Sequence, residues 1–112
     1  MENIIFQNRT LSIDGNEFEL DHQIRDARLI NDLAVVIYAF DQTVNRHRQF
    51  RNCKAFDSDG KLMWTAEHPT NATADYYVEF MEGKDNQIWN FGCFVCELDF
   101  SNGRLKKADF TK

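Results

Sequence analysis

A short cationic segment contains the side chains best suited to binding an anion. No acidic residue occurs from position 42 to 56. Guanidinium groups hold phosphate or carboxylate through paired hydrogen bonds, and a neighbouring imidazole can act as a general acid. The segment is therefore a candidate anion-binding site, with a solvated cationic turn as the alternative. Its candidate residues are Arg46, His47, Arg48 and Arg51.

The three cysteines lack the pattern of a metal or redox site. Cys93 and Cys96 have the interval of a zinc or thiol–disulfide motif, but residues three apart on a strand point to opposite faces. No second Cys or His pair completes four ligands, and an odd number of cysteines cannot form a complete disulfide framework. We expect Cys53, Cys93 and Cys96 to be small apolar side chains in the interior. We predict no metal site and no cofactor.

Known catalytic motifs are missing from the sequence. Asp57 to Gly60 resembles the opening of a calcium loop, but a third ligand position and the closing glutamate are lacking. The sequence has no G-x-S-x-G elbow, no glycine-rich phosphate loop and no H-E-x-x-H pair. His22 falls on the apolar side of an alternating segment, where we expect a packed histidine. The sequence therefore predicts a protein that is not an enzyme.

Two groups of carboxylates form a candidate protein-binding surface. From Glu17 to Ile24, acidic and polar residues alternate with largely apolar ones, as on a strand with one acidic face. If that strand lies at a sheet edge, its carboxylates form a row that attracts a basic partner. A second acidic stretch extends the row if the fold brings the two together. The candidate partner-binding residues are Glu17, Glu19, Asp21, Glu79, Glu82 and Asp85.

Hydrophobic periodicity predicts strands along most of the chain. Residues 17–24 alternate, and the continuous apolar run 33–40 predicts a central strand covered on both faces. The stretch 88–100 is longer than a usual strand, so we expect Gly92 to mark a bulge or bend. Residues 24–31 have a helix as their alternative, with one apolar face.

A strand–turn–strand pattern recurs around three glycines. Gly15, Gly60 and Gly103 are 45 and 43 residues apart, and each lies in a turn sequence rich in Asp or Asn. Aligning the last two glycines places Cys53 on Cys96. A period of about 40 to 45 residues with this pattern is typical of propeller blades.

The segment from Ala55 to Trp64 resembles the blade hairpin of quinoprotein-like, PQQ-type propeller repeats, in which an Asp, a turn Gly-Lys and a Trp follow one another. Residues 98–104 are similar but lack the Trp. The resemblance implies four-stranded antiparallel meanders, with Trp64 packed between neighbouring sheets. It does not carry over the cofactor of that family, because a closed propeller needs at least about four blades and this chain has room for about two and a half.

Together these patterns predict one all-β domain over residues 1–112. We expect antiparallel meander sheets of propeller-blade type, packed as a small sandwich or an incomplete propeller with about two and a half blade-like repeats. The chain has 112 residues, 43% of them hydrophobic, which suffices for one core.

Charge and length narrow the classes of function. The sequence has 13 basic and 18 acidic residues, a balance that opposes nucleic-acid binding. No apolar run is long enough to span a membrane and no signal-peptide pattern is present, so we expect a cytoplasmic protein without a membrane partner.

An acidic, non-catalytic domain of this size is similar in profile to bacterial toxin-immunity proteins, including those of contact-dependent inhibition systems. That resemblance implies a protein that binds and neutralises a cognate toxin, with a basic, nuclease-type toxin domain as the partner. One alternative is an orphan propeller-repeat module that self-associates into a homo-oligomer. Another is a binder of small anionic ligands that uses the cluster from Arg46 to Arg51.

Overall fold

Three antiparallel meanders follow one another along the chain in the computed structural model, which describes residues 1–40, 48–83 and 87–111. Sheet 1 comprises β1 (Ile4–Gln7), β2 (Thr10–Ile13) and β3 (Asn16–Glu19). Sheet 2 comprises β4 (Ile24–Ile30), β5 (Leu33–Tyr38), β6 (Cys53–Phe56) and β7 (Leu62–Thr65). Sheet 3 comprises β8 (Tyr77–Phe80), β9 (Gln87–Asn90), β10 (Phe94–Asp99) and β11 (Arg104–Phe110). The prediction of an all-β fold with antiparallel sheets is confirmed.

Sheet 2 is the middle layer of the molecule. Ala34 and Val36 on β5 lie in a core shared with sheet 1, whereas Val35 and Ile37 lie in a core shared with sheet 3. Successive residues of a strand point to opposite faces, so both faces of β5 are covered. This confirms the prediction of a central buried strand, and it places sheets 1 and 3 on opposite sides of sheet 2.

The last two strands of each sheet join at a turn that contains a glycine with positive φ. The angles are 87° at Gly15, 76° at Gly60 and 78° at Gly103. Ring atoms of Phe18 on sheet 1 occupy the space that a Cβ at Gly60 would need, and the ring of Trp64 on sheet 2 does the same at Gly103. The three glycines therefore hold equivalent places in the three meanders, and two of them receive an aromatic ring from the preceding sheet.

The prediction of one continuous strand from Glu17 to Ile24 is wrong. β3 ends at Glu19, and the chain crosses to sheet 2 before β4 begins at Ile24. The alternation continues across this gap because Leu20 and Ile24 are both buried in the core between sheets 1 and 2, although they belong to different layers. The helix alternative for residues 24–31 is also excluded, because this segment forms β4.

The long apolar stretch after residue 88 is divided between β9 and β10. Gly92 lies in the turn that joins them and donates its backbone N–H to Oδ1 of Asn90 at 2.7 Å, so the predicted bend is confirmed. The cysteines are free thiols. Cys53 and Cys96 are buried as expected, whereas Cys93 lies in the turn with φ of 70° and is half-buried.

Candidate functional site

The outward side of sheet 1 carries the first predicted acidic group. β3 forms the edge of this sheet and pairs with β2, so the condition on which the acidic row depended is met for residues 16–19. Glu17 and Glu19 lie on the side of β3 opposite Phe18, whose ring packs against the core shared with sheet 2. Cross-strand register places two polar residues of β2 beside them and two residues of β1 beyond β2. We call this surface the acidic face; its residues are Ile5, Gln7, Thr10, Ser12, Glu17 and Glu19.

The two carboxylates of the acidic face have different surroundings. Glu19 accepts a hydrogen bond from Oγ1 of Thr10 at 3.4 Å and lies 3.6 Å from Nε of Arg9. Glu17 is exposed and forms no ion pair within residues 1–40, 48–83 and 87–111. Arg9 therefore offsets the charge of Glu19 in part, and Glu17 is the carboxylate most available to a partner.

An exposed apolar side chain lies on the same side of the sheet as these carboxylates, with Ser12 of β2 between it and Glu17. Ile5 is 70% exposed, although it lies in a strand. A shallow depression of about 330 Å³ runs across this side of the sheet, lined by Ile5, Phe6, Gln7, Asn8, Thr10, Ser12 and Glu17. An exposed apolar side chain on a face that carries carboxylates adds buried apolar area to a contact that the charges orient.

Asp21 does not belong to the acidic face. It lies in the crossing between β3 and β4, because the strand ends two residues earlier. There it borders Tyr38 of sheet 2. Burial, and secondarily the negative charge of Asp21, raises the pKa of Tyr38 to about 12. The predicted grouping of Asp21 with Glu17 and Glu19 on one strand is therefore corrected.

The second acidic stretch does not extend this row. Glu79 lies on β8 and Glu82 just after it, both exposed and both in the part of the chain that forms sheet 3. Because sheets 1 and 3 pack on opposite sides of sheet 2, the two acidic stretches occupy different layers. Asp85, the third member of this group, lies outside the described residues.

The predicted anion-binding cluster is described only in part. Arg48 and Arg51 are exposed. Arg46 and His47 lie outside the described residues, so the structure does not describe the cluster as a whole. The charge of Arg51 acts on the buried side chain of His68 and favours its neutral form.

A buried polar network joins the loop 68–75 to sheet 3, and no sequence motif indicated it. Oδ1 of Asp75 lies 3.0 Å from Nδ1 of His68 and accepts a hydrogen bond from the Asn90 amide at 2.6 Å. Its Oδ2 accepts the backbone N–H of Thr70 at 3.0 Å and the Thr70 hydroxyl at 2.5 Å. Burial alone would raise the pKa of Asp75, but these hydrogen bonds together lower it below its ordinary value. All members of the network are buried or half-buried, so its role is to hold the loop 68–75 against sheet 3.

A second buried amide links the middle layer to sheet 3. Asn52 donates from Nδ2 to the carbonyl oxygens of Tyr38 at 2.9 Å and Tyr77 at 2.7 Å. Its Oδ1 accepts the backbone N–H of Tyr77 at 2.9 Å. The side chain of Asn52 thus replaces backbone pairing at a point where two sheets meet.

Sequence reasoning also overlooked Trp89, which lies half-buried on β9 near Glu79. The signal was available, because Ile88 and Asn90 flank it and period-two alternation turns a residue between two inward neighbours outward.

Within the described ranges, no group of three or more His, Cys, Asp or Glu side chains is arranged to hold a metal ion. The part of the chain that the structure describes also contains no helix of the length and apolarity that crossing a membrane requires.

The chain belongs to a protein family described as Domain of unknown function (DUF7957), whose family model matches residues 1–110. No curated protein and no solved structure matches the chain.

Proposed function

We propose that this domain is a non-catalytic protein-binding module that binds and neutralises a basic partner, in the manner of a bacterial toxin-immunity protein. The observation that carries the proposal is the acidic face. Its edge strand presents Glu17 and Glu19 on the side of the sheet that also carries the exposed side chain of Ile5, two strands away.

This surface suits a basic partner for two physical reasons. Carboxylates on an exposed face steer an oppositely charged protein into contact and accept hydrogen bonds from its Arg and Lys side chains. Nuclease-type toxins grip phosphates with basic clefts, so Glu17 and Glu19 would occupy positions that phosphates otherwise take. The apolar side chain of Ile5 adds burial that does not depend on charge.

We further infer that the three sheets are blade-type repeats, and we place the protein in the cytoplasm. The equivalent positions of Gly15, Gly60 and Gly103 support the first inference. The second inference is supported by the positions of Cys53 and Cys96, which are buried in the apolar core and not joined in a disulfide, the usual arrangement of cysteine in reducing compartments.

The test uses the purified full chain and the products of genes that neighbour its own in the native host. Binding is measured by isothermal titration calorimetry at low and high salt. We expect one basic partner to bind with a Kd of about 1 nM, which corresponds to a binding free energy of about −12 kcal/mol. The affinity should fall as the salt concentration rises. The double variant Glu17→Gln with Glu19→Gln should weaken binding by about tenfold or more, because it removes both charges and retains the size of the side chains.

Glu67→Gln is the control, because it removes one exposed negative charge just after β7, on the side of sheet 3, and its amide oxygen can still accept the backbone N–H of Leu105. Its affinity should stay within about twofold of the unmodified chain. Equal weakening in the control and the double variant would exclude the acidic face as the binding surface, and the failure of every neighbouring gene product to bind would overturn the proposed function.

A further inference from the structure

The outward side of sheet 3 exposes a tryptophan. Trp89 lies between Ile88 and Asn90 on β9, both of which are buried toward the interior. The indole therefore points away from sheet 2, and it is half-buried. Trp64, the other tryptophan, is 8% exposed and donates its indole N–H to the carbonyl of Phe100 at 3.0 Å. Of the two indole rings, only that of Trp89 is open to a partner.

Two carboxylates flank this ring. Glu79 on β8 is the direct cross-strand neighbour of Trp89, and Val95 on β10 is its neighbour on the other side. Glu82 follows β8 and lines the same groove, which has a volume of about 360 Å³. We call it the Trp89 groove; its lining residues are Glu79, Phe80, Met81, Glu82 and Trp89. Both glutamates are exposed, and neither forms an ion pair with another described residue.

We propose that the Trp89 groove binds an arginine side chain of a partner protein. A guanidinium group is planar, stacks on an indole face through cation–π attraction and still directs N–H donors at carboxylates in its own plane. Glu79 and Glu82 supply those acceptors. A lysine ammonium is a compact, strongly hydrated charge and cannot stack in this way, so the groove should discriminate between the two cations.

The shape of the site favours an arginine that belongs to a protein over a free cation. The groove has one aromatic wall and is open to solvent, so a free guanidinium would keep much of its hydration and bind weakly. Beyond Trp89 the same face continues through Val95 to Asp109 on β11. A larger basic partner would contact this face and hold its arginine in place.

This inference shares with the proposed function only the class of partner, a basic protein. It does not require the acidic face, because sheets 1 and 3 are different layers. Failure of either site therefore leaves the other standing.

The test follows the two indole N–H resonances in a nitrogen-15 correlation spectrum of the full chain. The probes are an acetylated tetra-arginine peptide, its tetra-lysine counterpart and guanidinium chloride, compared at equal ionic strength. Trp89→Phe assigns the Trp89 signal, and the buried Trp64 signal is the internal reference. We expect the arginine peptide to shift the Trp89 resonance at concentrations about fivefold or more below those of the lysine peptide.

The double variant Glu79→Gln with Glu82→Gln should weaken binding of the arginine peptide by about fivefold or more, whereas Asp59→Asn, in the turn between β6 and β7, should leave the affinity unchanged. All three positions are exposed, so the variants should fold, and circular dichroism verifies this. Equal shifts by the arginine and lysine peptides would overturn the inference. If guanidinium chloride reached half of its maximal shift of the Trp89 resonance at the same concentration as the arginine peptide, the groove would be a site for free cations. That result would also overturn the inference.

Discussion

At the scale of single residues, His68 occupies an environment that selects its neutral form. Its Nδ1 lies 3.1 Å from the carbonyl oxygen of Asp75 and 3.0 Å from the carboxylate, which are both acceptors, so Nδ1 carries the proton. Nε2 is buried and has no hydrogen-bond partner among the described residues. Burial lowers the pKa of His68 below its ordinary value of 6.5, and hydrogen bonding to Asp75 opposes that shift without reversing it.

The depressed pKa of His68 predicts a loss of stability in mild acid. In the unfolded chain the imidazole takes up a proton near pH 6.5, whereas the folded chain resists protonation until lower pH. The stabilisation is therefore complete above about pH 6.5 and declines as the pH falls, by up to about 1.4 kcal/mol per pH unit from this group. Urea unfolding at pH 8, 6.5 and 5 measures the decline.

His68→Asn is the matched variant, because its amide can still donate to Asp75 but does not titrate in this range. We expect the variant to be less stable at pH 8 and to lose less stability between pH 8 and pH 5 than the unmodified chain. The same loss in both proteins over that interval would show that His68 is not the titrating group.

The buried amide of Asn52 should make a large contribution to the free energy of unfolding. Replacing Asn52 by Ala leaves two carbonyl groups and the backbone N–H of Tyr77 without partners in a buried region. We expect a loss of about 3 kcal/mol or more in the free energy of unfolding. Asn102→Ala, which removes one bond to the backbone N–H of Arg104 in an exposed turn, should cost less than about 1 kcal/mol. Similar unfolding midpoints for the two variants would contradict this ranking.

At the scale of elements, the glycine turns predict a graded response to one added methyl group. Alanine at Gly15 meets no atom within 4 Å, so it should cost only the strain of positive φ, about 1 kcal/mol. At Gly60 and Gly103 the new Cβ would collide with the rings of Phe18 and Trp64, which adds about 1–3 kcal/mol. Thermal and urea unfolding of the three Gly→Ala variants checks the order, and equal destabilisation at all three positions would refute the inter-sheet contacts.

The same elements show how far the sequence could be interpreted. β5 was predictable because burial on both faces leaves an unbroken apolar run, and the glycine turns were predictable because positive φ restricts the choice of residue. The end of β3 was not predictable. Leu20, in the crossing after β3, and Ile24, the first residue of β4, are buried in the same core, so the apolar alternation continues in the sequence although the strand has ended.

The sequence indicated which side chains could form a binding site, but not which of them lie together in the fold. The acids at positions 17 and 19 alternate with Phe18, and this pattern identified their shared face. Whether these two glutamates lie near Glu79 depends on the order in which the three sheets pack, and no local sequence pattern indicates that order. The contact between His68, Asp75 and Asn90 likewise joins residues 7 and 15 positions apart, and it forms only when the loop packs on sheet 3.

At the scale of the whole molecule, the inner and outer faces of the three layers differ in character. Sheet 2 buries apolar residues on both sides, such as Val35 and Val36 on β5. The outward side of sheet 1 carries two glutamates, and that of sheet 3 carries Glu79 and an ion pair of Lys107 with Asp109 at 3.4 Å. Burying such charges against another copy costs free energy unless each one finds a partner.

The last of the three sheets lacks the aromatic side chain that would cover the glycine turn of a second copy, and this also opposes stacking of copies. Trp64 follows Gly60 by four residues and covers the turn of sheet 3, but the residue four positions after Gly103 is Lys107. Its side chain is 66% exposed. The position that corresponds to Trp64 therefore carries no ring that could cover the open turn at Gly15 of a second copy.

We accordingly predict a monomer, in contrast to a self-associating repeat module. Sedimentation velocity from about 5 to 100 µM should give one species of 13.2 kDa, and small-angle scattering should give a radius of gyration near the 13.3 Å of the Cα trace, a value expected for one compact chain of this length. Raising the salt should not change either result, because no charge pair between copies is present to be screened. A sedimentation coefficient that grows with concentration would show that copies associate, and loss of this growth in the Glu17→Gln with Glu19→Gln variant would assign the contact to the acidic face. In that case the acidic face would be covered by a second copy, and a basic partner would have to compete for it.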